Sequence, residues 1–171
     1  HFEKIDHTEF TARVATILVA ENVQFDLDTL DIYVKATYPD LRKCINSLQQ
    51  NSTTGVLRMP SSADRSASDY KLEFVKLFKA GKIREARTLF CTNATSEDPD
   101  DVIRWCYDNL DLWASTEEGQ DEAILIIRNA LVNTSFCADL EVNLAAMMTE
   151  LIQIDALLRV RNQLDTISKA L

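Results

Sequence analysis

Residues 38–50 read YPDLRKCINSLQQ, and this stretch sets the reading of the whole chain. Proline lacks the N–H that has no partner at a helix start, so Pro39 suits the first helical position. Asp40 favours the positive end of the helix dipole. Leu41, Ile45 and Leu48 then recur at helical spacing, so a helix is predicted from here to about Ser52. Arg42 is the odd member, because a cation in the first turn sits at the wrong end of the dipole. Two explanations stand: an anion bound just ahead of the helix start, or a surface pairing with Asp40 or a neighbouring helix.

Working outward, the upstream pattern predicts two more helices. Asp6 or Thr8 can cap one that carries Phe10, Val14, Ile17 and Leu18 and ends near Asn22. After Val23–Phe25, Asp26 or Asp28 can cap another with Leu27, Leu30, Ile32 and Val34. Downstream, Thr53–Asp69 mixes Gly, Pro, serines and charges with little to bury, which reads as a linker. Helical periodicity resumes at Tyr70–Lys79, breaks at Gly81 and continues over Ile83–Thr92. The next helices are expected over Pro99–Ala114, Glu117–Val132 and Asp139 to about Ile154. The apolar run Ile124–Ile127 predicts burial on several sides. KLEFVKLFKAGKIREARTLF alone reads like one tetratricopeptide-type hairpin, but no second copy follows at a fixed period.

The expected fold is therefore all-α: a three-helix bundle over 1–58, a linker over 59–69, and a roughly five-helix bundle over 70–171. Only 3 Gly and 3 Pro occur in 171 residues, which agrees with long helices and few tight turns. The net charge is −9. Residues 1–58 hold six basic and eight acidic side chains, and the remainder twelve and nineteen. An acidic body with no basic stripe does not grip nucleic acid by itself, because phosphate affinity rests on Lys and Arg clusters. The cysteines, Cys44, Cys91, Cys106 and Cys137, form no CxxC pair and fall in apolar helical patterns, so they read as reduced core thiols rather than metal ligands. That implies a reducing, cytoplasmic setting. No apolar run approaches the ~20 residues of a membrane span. The start at His1 reads as a piece of a longer protein.

PDLRKCINSLQQ resembles the sensor-2 helix of the AAA+ clamp-loader small subunits, replication factor C and its phage counterparts, and the aromatic-Pro-Asp start is similar to the phage members. The resemblance implies that residues 1–58 are the helical lid and that Arg42 reaches the phosphates of ATP bound on the neighbouring ATPase domain, with Asp40 and Leu41 near the nucleotide. The C-terminal block resembles the collar of the same family: GKIREARTLF its first hairpin, DPDDVIRWCYDNL its third helix, and IRNALVNTSFCADLEVNLAAMMTELI its closing helix pair. Residues 155–171 exceed the resemblance. It implies a role in ring assembly and ATP sensing during DNA replication, in phage-infected bacterial cytoplasm if phage-derived. Other clamp-loader subunits are the implied partners, and the sliding clamp and primer–template DNA would be engaged through the ATPase domain.

Gly55, Gly81 and Gly119 are the only glycines, so no GxxxxGK[ST] phosphate loop exists here. No acidic strand end for Mg²⁺ and no Ser-Arg-Cys segment for an arginine finger is present. Phosphoryl transfer needs cradle, metal and positioned water together. This chain is expected to hold no catalytic residue and no metal, with ATP and Mg²⁺ bound only by the full-length protein. Glu117, Glu118, Asp121 and Glu122 read as a solvated first turn rather than a metal cluster. His7 reads as a helix-start residue, and Trp105 and Trp113 as core or interface. Trp113, Phe136 and the Leu157–Leu164 stretch are candidate association surface. Two rivals remain: a helical protein–protein interaction module without nucleotide, which predicts Arg42 buried in a salt bridge, and the lid and oligomerisation region of another AAA+ machine, such as a helicase loader or recombination motor.

Overall fold

A computed structural model describes residues 5–59, 70–94 and 97–154, and it is all-helical. No strand occurs among the described residues. The only β-type pairing there is one isolated bridge between Gln24 and Val56. By packing, the chain divides into two compact units, residues 1–86 and 87–171. The division falls between Ala86 and Arg87 rather than in the 59–69 stretch, of which only Met59 lies within the described residues.

The first unit begins with α1 (His7–Ala20), α2 (Leu27–Thr37) and α3 (Leu41–Asn51). Each starts on an aspartate. Asp6 accepts hydrogen bonds from the Thr8 and Glu9 N–H groups, Asp26 from Thr29, and Asp40 from Lys43. A carboxylate at this position satisfies orphan N–H donors and meets the positive end of the dipole. Phe10, Val14 and Leu18 of α1, Leu30, Tyr33 and Val34 of α2, and Cys44 and Leu48 of α3 form the core. Tyr33 Oη donates to the Arg58 carbonyl at 2.6 Å, fixing the chain that leaves α3.

α4 (Tyr70–Lys79) also belongs to the first unit. It packs on α2, burying Tyr70, Leu72, Phe74 and Val75. Lys79 Nζ meets Asp31 at 2.9 Å and Asp28 at 3.9 Å, while Lys35 approaches Asp31 at 3.5 Å. The packing therefore joins α4, expected with the C-terminal bundle, to the N-terminal one. Its period-3.6 apolar face is plain in the sequence, but that period does not say which neighbour the face meets.

Gly81 follows α4 at φ +74°, a left-handed turn that glycine adopts without side-chain strain. α5 (Ile83–Ala94) then runs across the division into the second unit, which contains α6 (Pro99–Asp108), α7 (Leu110–Trp113), α8 (Glu117–Thr134) and α9, described over 140–154. One helix was expected over Pro99–Ala114. The structure breaks it at Asn109, where side chains take over backbone acceptors. Trp113 Nε1 donates to the Cys106 carbonyl at 2.8 Å, and Asn109 Nδ2 to the Trp105 carbonyl at 2.9 Å. Trp105 and Trp113 meet edge to face at 6.3 Å, and Phe90 lies 5.8 Å from Trp105. Such arrangements suit the aromatic quadrupole.

Two expectations about exposure are corrected. Trp113 is 4% exposed and belongs to the core, not to an association surface. The run Ile124–Ile127 is not buried on several sides: Ile127 is buried but Leu125 is 48% exposed. Phe136, at 83%, is exposed as expected. The Leu157–Leu164 stretch lies outside the described residues. No helix among the described residues is long and apolar enough to cross a membrane.

Candidate functional site

Tyr38 fixes the point from which α3 starts. It follows α2 directly, its Oη donates to the Ile5 carbonyl at 2.7 Å, and its ring packs against His7 at 4.8 Å and edge-on to Phe10 at 5.3 Å. The side chain is thereby buried between the start of α1 and the start of α3. Asp40 N–H donates back to the Thr37 carbonyl at 2.8 Å, closing the turn. Asp40, not Pro39, is the boundary of the helix. Pro39 stands one residue before the cap, and Leu41 is the first helical residue. The aspartate side chain competes best for the orphan N–H groups, so it sets the cap and displaces proline outward.

Arg42 is therefore the second residue of α3, and it is exposed. None of the ion pairs formed among the described residues includes it. Its nearest carboxylate in sequence, Asp40, is engaged as the cap, accepting from the Lys43 N–H at 2.9 Å. Lys43 and Leu41 are half-buried. The surface at this helix start thus presents a guanidinium, an ammonium-bearing neighbour and the positive end of a helix dipole. That combination favours an anion, and a planar guanidinium forks onto phosphate or carboxylate oxygens.

The other residues weighed from the sequence fall elsewhere. His7 is the first residue of α1 behind the Asp6 cap, as a helix-start residue should be, and its ring serves the Tyr38 contact. Thr8 and Glu9 N–H bonds hold the Asp6 carboxyl below its ordinary range. Glu117, Glu118, Asp121 and Glu122 are exposed around the first turn of α8, which Thr116 caps through Gly119. No group of three metal-ligating side chains occurs among the described residues. Cys44, Cys91 and Cys106 are buried thiols outside any disulfide, whereas Cys137, expected in the core with them, is exposed. Burial pushes the Cys44 thiol up to about 11 despite a lowering contact from Thr37, and burial likewise raises Cys91.

Two features escape sequence reading. Tyr38 looks like part of the turn, yet it is the bolt between three helix ends; an aromatic residue directly before Pro-Asp was the available signal. An open groove between α1 and α3, of about 660 Å³ and walled by residues such as Ile17 and Ile45, had no signal beyond ordinary amphipathic spacing.

The fold defines an all-α protein with a cationic helix start in its first unit. No protein-family model matches the chain, and no curated protein sequence matches it.

Proposed function

We propose that this chain is the lid and collar region of an AAA+ clamp-loader small subunit, acting in ring assembly and ATP sensing rather than in hydrolysis. Residues 1–58, with α4 packed on them, would form the lid, and the helices beyond α4 the collar, with Arg42 addressing the phosphates of ATP held by an ATPase domain outside this chain. Asp40 and Leu41 would lie beside the nucleotide. Subunits of the same ring would be the partners, and the assembly would place a sliding clamp on primer–template DNA.

The observation that carries this reading is Arg42 exposed on the first turn of α3, with Asp40 committed to the cap instead of to a salt bridge. A structural arginine, which the interaction-module rival requires, would be buried against a carboxylate. The reading as another AAA+ machine shares Arg42 and is separated from it by the ATPase motifs and by activity.

The test has two arms. The coding sequence upstream of His1 should hold a P-loop, an acidic metal-binding motif and Ser-Arg-Cys; their absence would refute the proposal. In that longer protein Arg42→Ala should weaken ATP-dependent clamp loading, since a charge-assisted contact to phosphate contributes ~1.5–3 kcal/mol. Arg42→Lys should restore only part of it, because the planar fork is lost. Unchanged loading by Arg42→Ala would remove the sensing role.

A further inference from the structure

The groove between α1 and α3 is left uncovered by the described helices of the first unit. Val14 and Ile17 of α1 face Ile45 and Leu48 of α3 across about 660 Å³. Leu48 is buried beneath the groove, whereas Ile17 and Ile45 are only half-buried along it. A trough of this kind suits the apolar face of a laid-in segment.

Its electrostatics are one-sided. The lining runs toward the C-terminal ends of both helices, α1 ending at Ala20 and α3 at Asn51, and continues past them through Glu21, Val23, Ser52 and Gly55. Helix C-termini carry partial negative charge. Neither helix has a basic residue in its last turn, and no Lys, Arg or His is among the lining residues. Glu21 is exposed and adds a full negative charge at that end. Negative potential is therefore concentrated at the Glu21 end of the groove.

We propose that this groove docks an amphipathic segment of a partner protein, with aliphatic side chains against Ile17 and Ile45 and a Lys or Arg at the end that meets Glu21. Apolar burial supplies the affinity, and the single charge of Glu21 at one end fixes the direction in which the segment lies. The inference stands apart from the reading of Arg42 as an ATP sensor, because it rests on the other end of α3.

Two short acetylated and amidated peptides, ALALLAK and ALALLAE, serve as probes for the full chain, followed through the methyl NMR signals of Ile17, Ile45 and Leu48. The lysine peptide should shift these signals saturably and bind roughly tenfold tighter than the glutamate peptide, the equivalent of one favourable charge contact. Glu21→Lys should reverse that order. Ile45→Asp should abolish binding of both peptides while circular dichroism keeps its helical signal, and Val19→Ser, on an exposed position outside the groove, should change nothing. Equal binding of the two peptides, an order unmoved by Glu21→Lys, shifts confined to other residues, or no binding of either would overturn the proposal. So would concentration-dependent self-association that Ile45→Asp removes, since the groove would then belong to a second copy.

Discussion

Lys79 Nζ lies 2.9 Å from the Asp31 carboxylate, joining the last turn of α4 to the exposed side of α2 across 48 residues of sequence. Both side chains are about a third exposed, so the pair is a register mark more than a source of stability. The attachment itself comes from the apolar face of α4, whose Phe74 and Val75 are fully buried. Any movement of the bundle that carries Arg42 would take α4 with it.

This ranking of effects is measurable. Lys79→Met should change the unfolding free energy by less than ~1 kcal/mol, as exposed ion pairs do. Phe74→Ala should cost ~3–5 kcal/mol through lost burial and a cavity. Urea denaturation followed by circular dichroism gives both values. A Phe74→Ala loss below that of Lys79→Met would mean that α4 is not packed on α2 in solution.

Arg42→Ala should leave the stability of this chain within about ±0.5 kcal/mol, the usual range for an exposed side chain without a fixed partner. A thermal melt several degrees lower would instead place the guanidinium in a structural ion pair.

The Asp26 cap makes a pH prediction. The Thr29 hydroxyl and N–H donate to its carboxylate and lower its pKa below the ordinary 3.8. A depressed folded-state pKa contributes stability that is full above the unfolded value and is lost as pH falls through the folded one. The melting temperature should therefore drop between about pH 4 and the more acid folded pKa. Asp26→Asn should flatten that part of the profile while behaving similarly near neutrality. An unchanged acid slope in Asp26→Asn would remove the cap from the acid transition.

The four thiols should separate by reactivity. Cys44, held at about 11 by burial, and the buried Cys91 and Cys106 should resist iodoacetamide at pH 8, whereas the exposed Cys137 should react at once. Mass spectrometry of the folded chain should find one rapid adduct, and none after Cys137→Ser. Rapid labelling of Cys44 would show that α3 opens readily from the core.

The break between α6 and α7 should depend on Trp113. Replacing it by Phe removes one of two donors to the Cys106 carbonyl, which keeps the Asn109 N–H at 3.3 Å, so the loss should be ~0.5–1.5 kcal/mol. Its intrinsic fluorescence should be blue-shifted, as for a buried indole, and a solvent-like emission from Trp113 would contradict the packing.

Much of the helical layout is legible from local chemistry alone. Aspartates before apolar-periodic runs fix the starts of α1, α2 and α3, Gly81 ends α4, and Pro99 behind Asp98 starts α6, because caps and breakers act over a single turn. The cation at the head of α3 is equally a sequence fact. What the tertiary structure alone decided is which face meets which neighbour. Periodicity cannot say that α4 packs on α2, that Asn109 and Trp113 divide the Pro99–Ala114 helix, or that Leu125 points outward from an apolar run. Nor can it say that Asp40 spends its carboxylate on the Lys43 N–H and leaves Arg42 outside every ion pair among the described residues. Those outcomes depend on contacts between residues distant in sequence or on competition for one acceptor, and neither leaves a period of 3.6 to read.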